Sequence, residues 1–418
     1  MYRSVRASLS CTCLFMFASS VYAQAGELTF RDAVQRTLER HPDLAAFSYE
    51  LRAQEGRIEQ ASARAPMEIG VLVENAFGTG TRSDFDAAET TVSLGFLLEG
   101  AGLQGRRESA VAQRGVLETD LKLKRADVAA DTARRYIAVL EQQRRLTELR
   151  SARELSEQTL AAVQARVRAA KVPQAEEARA NAALARAQLN EEHAEHELLT
   201  ARRRLAAQWG EMEARFGEAS GELLALPPLP SFEALRNRLV DSPDFETFVT
   251  EERLHEAELR LAETRRRPPW QVTAGVRRFE EGDDHAFVVG LNVPLASRDY
   301  ARGAVSAARA QLESVSAKRD AVRVKLDAEL FALYQELSHS YKEVTLLRDS
   351  VLPKMEQAVN ESRYAYERGR YGYVEWAAAQ RELMELRQSL LQAFADVHRY
   401  RIEIERLTGS SLLERDLP

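Results

Sequence analysis

No proline falls between Pro66 and Pro173, and from about Gly105 this stretch is dominated by alanine, leucine, glutamate, arginine and glutamine. That is the composition of long helices and coiled coils. A helical run of about 65 residues, rising about 1.5 Å per residue, would be roughly 100 Å long, more than any globular core requires. The chain is therefore built to reach across a distance. A second such run starts near Gly303. In it Leu326, Leu330, Leu333, Leu337, Val344, Leu347 and Val351 recur at alternating spacings of three and four, with polar Ser340 in one slot, which is the seam of a coiled coil and demands a helical neighbour. Pro353 is expected to kink this second run or to open a break between two stacked helices.

The two runs belong to a duplication. HPDL at His41–Leu44 recurs as SPDF at Ser242–Phe245. Each copy opens with a short helical segment (Phe30–Arg40; Phe232–Asp241), and Pro42 or Pro243 then starts a second helix ending near Pro66 or Pro268. A strand pair, the long helix, an interruption and a further helix of about 35 residues follow, closing at Trp209-Gly210 and at Thr408-Gly409. The expected organisation is a first repeat over 24–216 (hairpin 67–98, coiled coil 105–209) and a second over 231–409 (hairpin 270–295, coiled coil 303–408). Residues 217–230, with LPPLP, read as the linker, and 410–418 as a tail.

Alternation of period two marks the strands. Ile69, Val71 and Val73 share one face opposite Glu68, Gly70 and Glu74, and Val92, Leu94, Phe96 and Leu98 oppose Thr91, Ser93 and Gly95. In the second pair Trp270, Val272, Ala274 and Val276 oppose Gln271, Thr273, Gly275 and Arg277, while Phe287, Val289, Leu291 and Val293 oppose Val288, Gly290 and Asn292. Such strands suit an ordinary half-buried sheet, or a membrane barrel with lipid outside and a polar lumen inside. On the second reading Ile69, Val71, Val73, Val92, Leu94, Phe96, Val272, Val276, Val289 and Leu291 face lipid, and the polar turns Gly78–Ala88 and Glu280–Asp284 lie outside the cell. Four strands cannot close a barrel, and an open edge is not tolerated in lipid, so subunits would have to share one. Three copies would supply about twelve strands.

The first residues resemble a secretory signal peptide over 1–23: Arg3 and Arg6, an apolar stretch from Leu9 to Val21, and small Val21 and Ala23 before Gln24. Cys11 and Cys13 both lie in it, so the mature chain is expected to carry no disulfide and no thiolate metal site. The formal net charge of −6 becomes about −8 without the leader's two arginines, which gives no footprint for nucleic acid. No phosphate-cradling glycine loop, nucleophile elbow or metalloenzyme signature is present, so neither an enzyme nor a cofactor is expected.

LTFRDAVQRTLERHPDLAAF at Leu28–Phe47, ARAPMEIGVLVEN at Ala63–Asn75, LNVPLASRDYARG at Leu291–Gly303, LPKMEQAV at Leu352–Val359 and YERGRYGYVEWAAAQ at Tyr366–Gln380 together resemble the outer-membrane efflux family typified by TolC, in its CzcC-like branch. The resemblance covers nearly the whole mature sequence. It implies a mainly α protein with a small β part, trimerising into a 12-stranded outer-membrane β-barrel on a periplasmic α-barrel. It also implies a passive conduit for heavy-metal cations, docked to a periplasmic adaptor protein and an inner-membrane RND-type pump. In that family the turn between the long and short helices closes the channel, with acidic side chains at the entrance. Here the second copy has Gly369 at the turn and Glu375 at the acidic position; the first has Ala170 and Glu176. Ala378 stands where some members carry a further acid. The plainer account of both glutamates is a solvated helix start, favoured by the helix dipole.

Glu192, His193 and His196 form a helical cluster that could offer a divalent cation two imidazoles, but no further histidine obviously joins them, and a solvent-facing group is the plainer account. The alternative to a conduit is a periplasmic coiled-coil adaptor or scaffold. An adaptor should show one coiled-coil hairpin between compact β domains, whereas this chain shows two hairpins, each preceded by alternating strands.

Overall fold

The computed structural model describes residues 26–267, 269–295 and 297–409; the expected leader with Cys11 and Cys13, and the tail 410–418, lie outside them. Helix starts follow directly from sequence. Thr29 caps α1 (Phe30–Arg40) by accepting from the Asp32 N–H at 3.1 Å. At α2 (Pro42–Ser62) and α6 (Pro243–Thr264), His41 and Ser242 accept from the N–H of Asp43 and Asp244, at 3.1 and 3.3 Å, and the following proline occupies the first turn, where its missing N–H costs nothing. The recurrent HPDL and SPDF are thus two copies of one helix-start device.

Strands β1 (Glu68–Glu74) and β2 (Glu89–Leu98) follow α2, and β3 (Trp270–Phe279) and β4 (Asp284–Asn292) follow α6. They form one antiparallel sheet in the order β1-β2-β3-β4, so the two copies join through β2 and β3. Gly275 permits that join: a Cβ there would lie 2.4 Å from the Val92 carbonyl oxygen. Among the described residues β1 and β4 each leave one edge without a partner strand.

After β2 the chain runs through α3 (Ala101–Arg168), turns, and returns as α4 (Gln174–Ala206). After the short α5 (Phe232–Arg238), α6 and the second strand pair, α7 (Ser297–Leu346), a π-helical stretch (Leu347–Val351) and α8 (Leu352–Glu367) form one continuous run, with α9 (Tyr373–Leu407) returning. Pro353 therefore opens no break between stacked helices. A proline ring would clash with the carbonyl four residues back and leave it without a donor; widening the preceding turn to the π pattern absorbs the misfit while the chain stays helical.

Helix α9 lies between α3 and α7 and carries two core faces. Leu391, Ala395 and Ile402 pack with Tyr136, Ile137 and Leu140 of α3, whereas Phe394, Val397 and Ile404 pack with Leu326, Leu330, Leu337 and Val344 of α7. Ser340 is buried within the seam; Leu333 is half-buried against the same cluster, and Leu347 and Val351 are half-buried in the π-helical stretch. Ion pairs tie α9 to α3: Arg399 with Glu141, Arg134 with Glu403, and Arg406 with Asp127 at 2.7 Å. Residues 217–230 cross these helices as a strap. Leu28 and Ala219 form a parallel bridge, the Tyr136 hydroxyl reaches the Leu28 and Ser220 carbonyls at 2.7 and 2.6 Å, and Gln143 exchanges two hydrogen bonds with the Ala219 backbone. No helix among the described residues is long and apolar enough to cross a membrane.

Candidate functional site

Two regions carry the chemistry, the sheet at one end and the paired helix turns at the other. In the sheet, register puts the apolar residues in rows. Ile69, Leu94, Ala274 and Val289 form one row, Val71, Val92, Val276 and Phe287 the next, and Phe96, Val272 and Leu291 a third. Because cross-strand partners project to the same side, these residues occupy one face. The face is bare: Ile69 is 76 % exposed, Val289 78 % and Phe287 90 %, with Val73 also exposed and Val272 half-buried. An uncovered apolar surface of this kind marks contact with lipid or another protein. The opposite face is mostly polar and organised around Arg277, which donates to Glu74 and Glu89 at 2.6 Å each and to the Thr91 hydroxyl at 2.8 Å. Leu72, Leu97 and Val288 are apolar members of this second face.

The helix turns are alike in both copies. At α3 the N–H of Lys171 reaches the Arg166 carbonyl and that of Ala170 the Val167 carbonyl; at α8 Arg370 and Gly369 repeat this with Ala365 and Tyr366. This pattern needs a left-handed residue, and Ala170 (φ 54°) and Gly369 (φ 74°) supply it. The glycine is therefore replaced in the first copy, but its backbone conformation is kept.

The two turns are bound to each other. The Tyr366 ring stacks on Trp376 at 5.2 Å between centroids, and the Arg166 guanidinium lies 4.7 Å from the Tyr366 ring centroid as a cation–π partner while donating to the Glu367 carbonyl at 2.7 Å. The Tyr366 hydroxyl donates to Glu176 Oε2 at 3.1 Å. Val163, Ala180, Tyr366, Tyr373 and Trp376 form a buried cluster here. Burial, reinforced by the Glu176 carboxylate, pushes the Tyr366 phenol up to about 12, so it stays a donor at neutral pH. Glu176 is half-buried and Glu375 exposed, and their carboxylates approach the same point: Glu375 Oε2 lies 3.0 Å and Glu176 Oε1 3.9 Å from where a Cβ on Gly372 would stand. The acids are not alone, since Arg168, Lys171, Arg368 and Arg370 flank the turns. Above the turns a groove of about 560 Å³ runs between α3, α4 and α9, lined by Arg186, Tyr373 and Arg381 among others.

Tyr366, Trp376 and Arg166 have no role in the sequence reading. The available signal was the pair of bulky aromatics in YERGRYGYVEW beside otherwise charged helix ends, where nothing but a partner turn could bury them. His193 and His196 are exposed on α4, beside Glu191 and Glu195, which pair with Arg150 and, for Glu191, also with Arg153 at 2.7 Å. Among the described residues no group of three or more histidine, cysteine, aspartate or glutamate side chains could hold a metal ion.

Residues 234–410 match the family described as outer membrane efflux protein. The chain is 28 % identical over 386 residues, 92 % of its length and 91 % of the relative's, to the cobalt-zinc-cadmium resistance protein CzcC of Cupriavidus metallidurans. It is 26 % identical over 72 % of its length, and 70 % of the relative's, to the nickel-cobalt-cadmium resistance protein NccC of Alcaligenes xylosoxydans xylosoxydans. Among solved structures it shares its fold with a membrane protein from Pseudomonas aeruginosa (TM-score 0.73, 17 % identity, 91 % of this chain and 93 % of that one) and with the outer membrane protein VceC of Vibrio cholerae (0.72, 14 %, 91 % and 96 %). Residues 234–410 thus carry the pattern of an outer membrane efflux protein, and the chain is similar over most of its length to two heavy-metal resistance proteins while sharing its fold with a solved outer membrane protein.

Proposed function

We propose that three copies of this chain close a twelve-stranded barrel in the outer membrane and continue as a helical tunnel into the periplasm, through which heavy-metal cations leave the cell. The observation that carries this is the four-stranded sheet with one bare apolar face and two unpartnered edges. A single copy cannot rest in lipid with open edges, whereas β4 of one copy pairing with β1 of the next satisfies every strand. The apolar rows then meet lipid, and the face holding Arg277, Glu74 and Glu89 lines the lumen. The mainly polar helices suit a water-filled periplasmic tunnel, with energy supplied by a pump reached through an adaptor at the far ends of the helices. Divalent cations are proposed as the cargo because the relatives are named for resistance to cobalt, zinc, cadmium and nickel.

Under this reading the paired turns form the periplasmic entrance, and Glu176 and Glu375, repeated around a three-fold axis, place carboxylates at its rim. The flanking arginines limit the net negative field, so a modest cation preference is expected. Planar-bilayer recording tests this. Glu176→Gln together with Glu375→Gln should lower the cation-to-anion permeability ratio by about twofold or more, and unchanged currents and selectivity would remove these residues from the entrance.

A further inference from the structure

The junction between helices and sheet carries a charge pattern that conduit function does not require. Leu98 pairs with Trp270, which brings the ends of β2 and β3, and hence both copies' helix junctions, to one end of the sheet. The Ser297 hydroxyl donates to the Arg266 carbonyl at 3.2 Å, joining the start of α7 to the end of α6, and the Ala65 N–H donates to Glu99 at 3.1 Å in the first copy. Five arginines sit at this level: Arg64, Arg265, Arg266, Arg267 and Arg298. All five are exposed, and none makes an ion pair or side-chain hydrogen bond to another described residue. Of the neighbouring acids, Glu99 is engaged by Arg106 at 2.7 Å and Asp299 by Arg302 at 2.8 Å, while Glu68 and Glu263 are exposed and too few to offset the five arginines.

A helix dipole favours one cation after the end of α6, but it does not call for three in succession, and it disfavours Arg298 in the first turn of α7. The opposite end of the sheet is acidic, with Asp84, Asp86, Glu280, Glu281, Asp283 and Asp284. Apolar and aromatic side chains continue to the basic end: Trp270 is 50 % exposed, Met67 72 %, Tyr300 85 % and Leu295 88 %. Aromatic rings beside guanidinium groups at the edge of an apolar band are the composition of a membrane–water interface. Guanidinium groups match phosphate in charge and in paired hydrogen-bond geometry.

We propose that this junction is a binding site for anionic phospholipid of the periplasmic leaflet, the arginines receiving headgroup phosphate and Trp270 and Tyr300 seated at the same depth. The proposal rests on the outer-membrane placement of the sheet. It is tested on the full-length protein purified from outer membranes, by native mass spectrometry with phosphatidylglycerol and phosphatidylcholine of equal chain length. The wild type should retain phosphatidylglycerol in preference. R265Q/R266Q/R267Q/R298Q should lose that preference by at least about tenfold while keeping its oligomeric mass, and replacement of the same four residues by lysine should preserve most of it. Equal retention of the two lipids by the wild type, or an undiminished preference in the glutamine variant, would overturn the site. Displacement of phosphatidylglycerol by millimolar inorganic phosphate would overturn it in favour of a free-anion site. A wild-type protein absent from the outer membrane would contradict the placement itself, an outcome separable from the others.

Discussion

Ala170 shows what one residue can hide. The sequence marks it as the departure from a glycine turn, which suggests a different conformation, yet the backbone keeps φ at 54° and both hydrogen bonds of the turn. The surrounding helices impose the turn, and alanine carries the steric cost. Ala170→Gly should therefore raise stability by up to about 1 kcal/mol, the relief of strain exceeding the added freedom of the unfolded chain, measurable as a higher denaturation midpoint. His398 was unreadable from sequence, a lone histidine in a charged helix. In the fold it is fully buried, its Nε2 donates to the Leu223 carbonyl of the strap at 3.0 Å, and burial, assisted by Arg401, lowers its pKa to about 4. Between pH 6.5 and about 4 the unfolded chain binds a proton that the folded chain refuses, so stability is intact above 6.5 and falls with pH across that window, by at most about 3 kcal/mol. His398→Gln should flatten this part of the stability–pH curve; an unchanged slope would assign the loss to other groups.

At the scale of elements, the long helices and alternating strands were legible because each is written in a period that only one backbone geometry satisfies. The seam shows the limit. Leu326, Leu330, Leu337 and Val344 lie in the buried cluster, but Leu347 and Val351 fall in the π-helical stretch before Pro353, where the turn widens and the three-four spacing no longer points one way. The contact between the two turns was not legible, since it joins residues some two hundred positions apart. Its hydrogen bond can be removed alone: Tyr366→Phe keeps the stack on Trp376 and deletes only the donation to Glu176. If this bond holds one hairpin against the other, the variant should increase mean single-channel conductance severalfold, about the effect of 1 kcal/mol on an opening equilibrium. Wild-type conductance in the variant would leave the restraint to the aromatic cluster and the Arg166–Glu367 hydrogen bond.

For the whole molecule, the sheet poses a problem that one chain cannot solve. Its two edges are open and its apolar face is bare, while the helices that follow it are well packed among themselves. An ordinary half-buried sheet would have placed those helices over the apolar rows; here they extend from its end instead. Oligomeric closure was argued from strand count in the sequence, and the structure adds the register that sends the apolar residues to one side. The most direct test is the mass of the native particle extracted with detergent from outer membranes. With 47.0 kDa per full-length chain, three chains without their leaders should give about 130 kDa of protein in one closed barrel. A soluble periplasmic monomer or dimer would contradict the shared barrel.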